Sequence, residues 1–239
     1  MGRWPPVPAP RLEGGRLTAG RRVTDGKAGE GEDGLEALGR AISVCRICVD
    51  TPRGAPLPHT PRPVVWPSAT ARILVAGQAP GTRVHASGRP FTDPSGDRLR
   101  SWMGLDEAVF YDRARLAIVP MGFCFPGLDA KGGDLPPRRE CRDAWHDRLM
   151  AVMPQVDLIL AIGASAQAYH LGRLGLGHWR GATLTETVGA WRAVLAARES
   201  PAVFVLPHPS WRNSGWLKRH PWFEADLIPA LRQAVAARV

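Results

Sequence analysis

Four short apolar runs, spaced along the chain with helical patterns between them, constrain its fold more than any other feature. They are Arg72–Ala76, Arg115–Val119, Asp157–Ile162 and Ala202–Leu206. Between and around them, helical patterning covers Ser95–Met103, Arg139–Met153, Ala164–Leu171 and part of Leu184–Ala197. Strands that alternate with helices form a parallel sheet covered on both faces. The predicted fold class is therefore α/β: a three-layer α/β/α sandwich around a central four-stranded parallel sheet. A short amphipathic helix is expected over Leu35–Val44, ending at Cys45. A closing helix is expected over Pro221–Val239, with proline in its first turn. Residues 51–68 are proline-rich and predict an extended, irregular crossing. Residues 1–34 combine Pro, Gly, Arg and acids with no apolar period, which predicts a disordered tail before a single domain over 35–239.

The chain has 239 residues, of which 44% are hydrophobic, enough for one sizeable core. Its net charge of +9 points to an anionic partner, nucleic acid before membrane, because no apolar run could span a bilayer. An arginine bias in a GC-rich coding sequence is the plain alternative. The first residues lack the apolar core of a signal peptide, so a cytoplasmic monomer is expected. In that compartment four cysteines read as metal ligands or free thiols rather than disulfides.

Two loops stand out. Ile73–Ala76 breaks into Gly77-Gln78-Ala79-Pro80-Gly81, and Val203–Leu206 breaks into Pro207-His208-Pro209-Ser210. Ligands of open α/β sheets bind outside the carboxyl ends of the strands, so both loops could face one pocket. Small residues in the first let backbone approach a ligand closely. Neither G-x-G-x-x-G nor G-x-x-x-x-G-K-S/T is present there, which removes the Rossmann and P-loop readings. Beyond His208, the residues Trp211, Arg212, Asn213, Trp216, Lys218 and Arg219 mix aromatic and basic side chains, as a loop that wedges into DNA and holds phosphates would. The cysteines fall as Cys45-x2-Cys48, Cys124 and Cys141. Together they could complete one four-thiolate site, and chemistry alone leaves zinc and iron–sulfur open.

The two loops together resemble the active-site motifs of the uracil-DNA glycosylase superfamily, and the cysteine spacing is similar to that of its iron–sulfur families. The resemblance runs from Cys45 to the C-terminus. It implies a monofunctional DNA glycosylase that removes uracil or a related damaged base and carries a four-iron four-sulfur cluster on Cys45, Cys48, Cys124 and Cys141, with structural zinc as the alternative. It places His208 as the group that stabilises the leaving base, and Asp93 or Gln78 as the group that positions water, with Asp97 as a nearby substitute. Phe91 in Gly88-Arg89-Pro90-Phe91 would stack on the base. Gly77, Ala79, Pro80, Met121 and Phe123 would line the base pocket. Ser210, Trp211, Arg212, Asn213, Lys218 and Arg219 would contact DNA.

Three departures mark a divergent subfamily. Gln78 replaces the Glu common in one iron–sulfur type. Pro120 stands where those families have an Asn that reads the uracil edge, leaving backbone groups of Met121–Phe123, or Gln78, to do so. The Met121–Gly127 stretch is aromatic where the family is basic. Two rival readings follow. One is a nucleic-acid-binding member of the fold that has lost its chemistry. The other is a zinc-stabilised enzyme acting on free nucleosides.

Overall fold

The computed structural model describes residues 27–239, with side chains from Gly34 onward. Residues 1–26 of the expected disordered tail lie outside them. In chain order the elements are α1 (Lys27–Ser43), α2 (Ile47–Asp50), β1 (Ile73–Ala76), α3 (Thr82–Ser87), α4 (Pro94–Met103), α5 (Glu107–Phe110), β2 (Leu116–Ile118), α6 (Arg139–Ala151), β3 (Leu158–Ile162), α7 (Gly163–Arg173), α8 (Leu184–Gly189), α9 (Trp191–Ala196), β4 (Ala202–Leu206), α10 (Ser214–Arg219) and α11 (Ile228–Ala236). The strands form one parallel sheet in the order β2-β1-β3-β4. Ile73 aligns with Leu116 on one side and Leu158 on the other, and Leu158 aligns with Ala202.

The strands do not alternate between apolar and polar. Every residue of β1, β2 and β3 is buried, as a sheet with helices on both faces requires. Each such Leu, Ile or Val removed from water contributes roughly 1.5–3 kcal/mol. All four expected strands are present.

The helices differ from expectation in places, each for a local reason. Helix α1 begins at Lys27, upstream of the expected Leu35. The expected helix within Leu184–Ala197 is two short ones, α8 opened by a Thr183–Glu186 capping box and closed at Gly189, where the chain bends. The closing helix contains a widened π turn over Phe223–Leu227 before α11. Pro229 explains it: this residue has no N–H for the Ala225 carbonyl, and its ring crowds that carbonyl, so the turn opens. The proline-rich crossing is extended as expected. It is fastened by Val64 N–H donating to the Phe123 carbonyl at 2.7 Å and by an antiparallel bridge from Trp66 to Ile118.

The amino end of the sheet is tied to the chain's C-terminus through Asp157. Its carboxylate accepts from Arg72 Nε at 3.0 Å and from Arg238 Nε at 2.5 Å. Burial would raise the Asp157 pKa, but the bonds from Arg72 and Arg238 outweigh it and hold the group below the usual carboxylate range. A depressed native pKa stabilises the fold above the unfolded value, about 3.9, and that contribution is lost as pH falls through the native value. Asp157→Asn should therefore cost about 1–3 kcal/mol at pH 7 in denaturant unfolding. The gap from the unsubstituted protein should close as pH falls below about 4. A gap that persists unchanged at pH 3 would show that the carboxylate is not the stabilising species.

Candidate active site

The order β2-β1-β3-β4 makes the chain leave β1 in one direction and return beyond it in the other. The carboxyl end of β1 is thus a topological switch point. The Gly77–Gly81 loop lies there, and a pocket opens beside it, lined by Gly77, Gln78, Ala79, Pro80, Phe91, Asp93 and His208. The expected catalytic residues and most of the expected base-lining residues therefore meet in one place.

Phe91 is held in position by strain that its surroundings absorb. Its φ is 55°, a left-handed conformation rarely adopted by a residue with a side chain. Its carbonyl accepts from the Tyr111 hydroxyl at 2.9 Å, and Phe110 meets its ring edge-on. The Arg89 guanidinium lies 3.6 Å from the Tyr111 ring centre. The ring faces Gly77, where a Cβ would sit 3.5 Å from its tip. Behind Phe91, a Cβ on Gly96 would fall 1.9 Å from the Phe91 carbonyl oxygen, so only glycine fits.

Asp93 caps α4. Its Oδ1 accepts from Ser95 Oγ at 2.6 Å and from Gly96 N–H at 3.3 Å, which fixes the carboxylate's orientation toward the pocket. Asp97, the expected substitute, is exposed, pairs with Arg100 and does not line the pocket. In α4 the buried face carries Ser95, Gly96 and Leu99, which leaves Asp97 on the outer face.

His208 is set between two buried prolines. Asn213 Nδ2 donates to its carbonyl at 2.7 Å, and Arg98 donates to the Ser210 carbonyl at 2.9 Å. Gln167 Nε2 donates to the Leu206 carbonyl at 2.9 Å. The loop is thus fastened on three sides. Burial lowers the His208 pKa, against the opposing pull of Asp93 and Asp134. A neutral imidazole, with one N–H to donate, is the form favoured in the pocket near neutral pH.

Two expected base contacts are corrected. Met121 and Phe123 are core residues, each 2% exposed, and neither lines this pocket. Their neighbourhood to Cys124 in sequence gave no direction for the side chains, which turn inward. The backbone N–H donors of that segment are committed as well. Met121 N–H donates to the Gly77 carbonyl at 3.0 Å, Gly122 N–H to Gln78 at 2.8 Å, and Phe123 N–H to Cys141 Sγ at 3.4 Å. Pro120 does line the pocket, but its carbonyl accepts from His146 Nε2 at 2.9 Å.

Sequence reasoning missed Asp134. It lines the pocket, and a Cβ on Gly81 would lie 3.3 Å from its Oδ2. Burial raises its pKa, as do Asp93 and Asp129, while Arg212 and His208 lower it. A tight turn delivers it: Asp129 Oδ1 accepts from Lys131 and Gly133 N–H, both at 2.8 Å, and Gly132 has a φ of 74°. The sequence signal that points to it is the Gly132-Gly133-Asp134 turn.

The basic loop divides into two roles. Trp211 is 77% exposed, and Arg212, Lys218 and Arg219 are exposed beside it. Ser210 and Asn213 instead hold the His208 loop, and Trp216 is core, its Nε1 donating to Thr185 at 2.9 Å.

Cys45, Cys48, Cys124 and Cys141 line one small cavity with Leu57, Pro61, Pro63 and Arg138. The four lie around the cavity rather than closed on one point. Among the described residues no group of three or more His, Cys, Asp or Glu is set to hold a single metal ion. Burial pushes the Cys124 thiol up to about 12, and raises Cys48 and Cys141 as well. Thiolates there need a strongly cationic partner. Four thiols around one cavity are the donor type that a thiolate-bound centre would need.

A family model described as the uracil DNA glycosylase superfamily matches residues 65–232. The chain belongs to the uracil DNA glycosylase superfamily. The match spans β1 through the start of α11 and includes both pocket loops, Asp134, Cys124 and Cys141. Cys45 and Cys48 lie before it. Members of the superfamily act on DNA, and a DNA glycosylase-type function goes with the fold. No described helix is long and apolar enough to cross a membrane.

The contact behind Phe91 gives a direct test of how this glycosylase pocket is built. Gly96→Ala should cost about 1–3 kcal/mol, the range for overpacking, and displace the Phe91 ring. Thermal unfolding and the near-ultraviolet dichroism of the aromatic residues would report both. An unchanged melting temperature would contradict the contact.

Proposed function

We propose that this protein is a monofunctional DNA glycosylase that hydrolyses the N-glycosidic bond of uracil, or of a related damaged base, as a cytoplasmic monomer in base excision repair. The observation that carries this reading is the convergence of Gln78, Phe91, Asp93 and His208 in one pocket at the switch point. A base extruded from the helix would stack on Phe91. Bond cleavage places negative charge on the base oxygens, and a neutral His208 held by its loop would donate to one of them as the charge grows. Asp93, oriented by its own cap, would position the water below the sugar. Asp134 stands close enough to share that task. Gln78 would read the base edge, since its carboxamide offers both a donor and an acceptor and the amides of Met121–Phe123 are committed elsewhere. No lysine lines the pocket among the described residues, which supports hydrolysis without strand cleavage.

Cys45, Cys48, Cys124 and Cys141 would hold a four-iron four-sulfur cluster, with zinc as the alternative occupant. Its contribution would be structural: it would pin α2 and the proline crossing to the segment between Cys124 and α6. The Phe123 N–H aimed at Cys141 Sγ and the Arg138 guanidinium beside the cavity would temper the charge on the thiolates.

Protein purified without oxygen should be brown and contain about four irons per chain. One zinc and no iron would move the assignment to zinc. Exchange of Cys124 or Cys141 for Ala should impair folding more than chemistry.

Single-turnover release of uracil from single-stranded and duplex oligonucleotides tests the chemistry. His208→Ala should slow release about 10²–10³-fold and leave DNA affinity nearly unchanged. Asp93→Asn should slow release more than Gln78→Ala, and the reverse order would give Gln78 the water. An unaltered rate in His208→Ala would sink this mechanism. If the unsubstituted protein releases no base from any altered oligonucleotide, Pro120 and Gln78 become marks of a binding module without chemistry.

A further inference from the structure

A second surface feature lies next to the pocket and is not used by the reading above. A broad groove opens beside the Gly77 loop, lined by Arg53, Arg138, Arg139, Arg142 and Arg180, of which Arg138 turns its guanidinium inward to the Cys48 and Ala55 carbonyls. Glu140 is the acid that lines it among the described residues. Asp143 is shared by Arg53 and Arg142, each at 2.6 Å, and Arg138 approaches Glu140 at 3.5 Å. Arg139 and Arg180 are exposed and make no ion pair among the described residues.

Two helices add to this charge. The first turns of α6, at Arg139 and Glu140, and of α7, at Ala164 and Ser165, both line the groove. Neither helix has a side-chain cap on its leading N–H groups, so both dipole ends add positive potential to the groove. The lining includes prolines, alanine, leucine and methionine but no aromatic ring. Such a surface suits phosphates and offers nothing for bases to stack on.

The groove is physically joined to the base pocket. Ser165, on its wall, donates to Gln78 Oε1 at 3.4 Å, and Met121, also on its wall, donates its N–H to the Gly77 carbonyl. The exposed Trp211 and Arg212 belong to the His208 loop, on the strand β4 side of that pocket. We propose that this groove carries the phosphodiester backbone of the DNA strand on one side of the base held in the pocket. The inference rests on the glycosylase reading for its polarity, though not for the groove's affinity for phosphate. It assigns the groove a sequence-neutral grip on one flank only, with the Trp211 loop serving the other.

The test uses the double variant Arg139→Ala/Arg180→Ala of the full chain. Both side chains are exposed and unpaired, so folding should be unaffected, and a thermal melt checks this. Single-stranded oligonucleotides carry uracil near the 5′ end or near the 3′ end, so that one long flank remains. The half-saturating protein concentration in single-turnover release should rise on the order of tenfold near physiological salt for one polarity and stay constant for the other. The maximal rate should not change. On a lesion-free single strand, the slope of log affinity against log salt should shrink by about 1.4, the expectation for two lost phosphate contacts. Equal losses on both polarities, or an unchanged salt slope, would overturn the proposal. If the unsubstituted protein releases no base, the function proposed above fails, while the salt slope on lesion-free DNA still decides whether the groove binds phosphates.

Discussion

Strand β1 has neighbours on both sides and is buried on both faces, and the chemistry of this molecule hangs from its carboxyl end. Because Ile73–Ala76 are fixed by pairing with β2 and β3, the turn after Ala76 has little freedom. Its carbonyls then organise the next layer: Gly77 and Gln78 accept the amides of Met121 and Gly122 from the segment after β2. That same segment receives the Val64 amide and offers its Phe123 amide to Cys141. One buried strand thereby sets the base pocket, the cysteine cavity and the wall of the basic groove in a fixed relation.

The features legible in the sequence were those encoded locally. Strands with continuous apolar runs and loops stiffened by glycine and proline announce themselves within a few residues, and so did the pocket loops that end them. The direction of side chains after β2 was not local. Met121 and Phe123 could face the pocket or the core, and only the pairing of their amides with the first loop and with Cys141 turns them inward. Asp134 was lost for a related reason. The Asp129 turn carries it to the pocket through the bonds that its carboxylate accepts from Lys131 and Gly133 N–H, which no local pattern announces. The π turn before α11 required weighing Pro229 against a strong helical pattern, a competition that periodicity alone does not resolve.

The molecule separates its charges by task. On the reading proposed above, Asp93 and Asp134 would face the sugar, where positive character develops during cleavage, and His208 would face the base, where negative character develops. Burial keeps His208 toward its neutral form despite both carboxylates, since a permanently charged imidazolium would bind the two acids rather than await the leaving group. No arginine lines the pocket among the described residues; those of the groove and the His208 loop lie outside it, where they would meet phosphates without entering the reaction.

Strain at Phe91 fits the same division. A left-handed φ on an aromatic residue costs on the order of 1–3 kcal/mol and persists only where neighbours over-determine it. Here Tyr111 holds its carbonyl, Gly96 leaves that carbonyl the only room available, and Asp93 locks the helix that carries Gly96. The residue that caps α4 is thus also the one proposed to direct the water, so the ring that would hold the base and the carboxylate that would direct attack cannot shift independently. A stacking platform and an acid on one rigid turn would hold base and attacking water in a fixed relation. On the same reading, discrimination among bases would fall to Gln78 and Pro120, which also line the pocket.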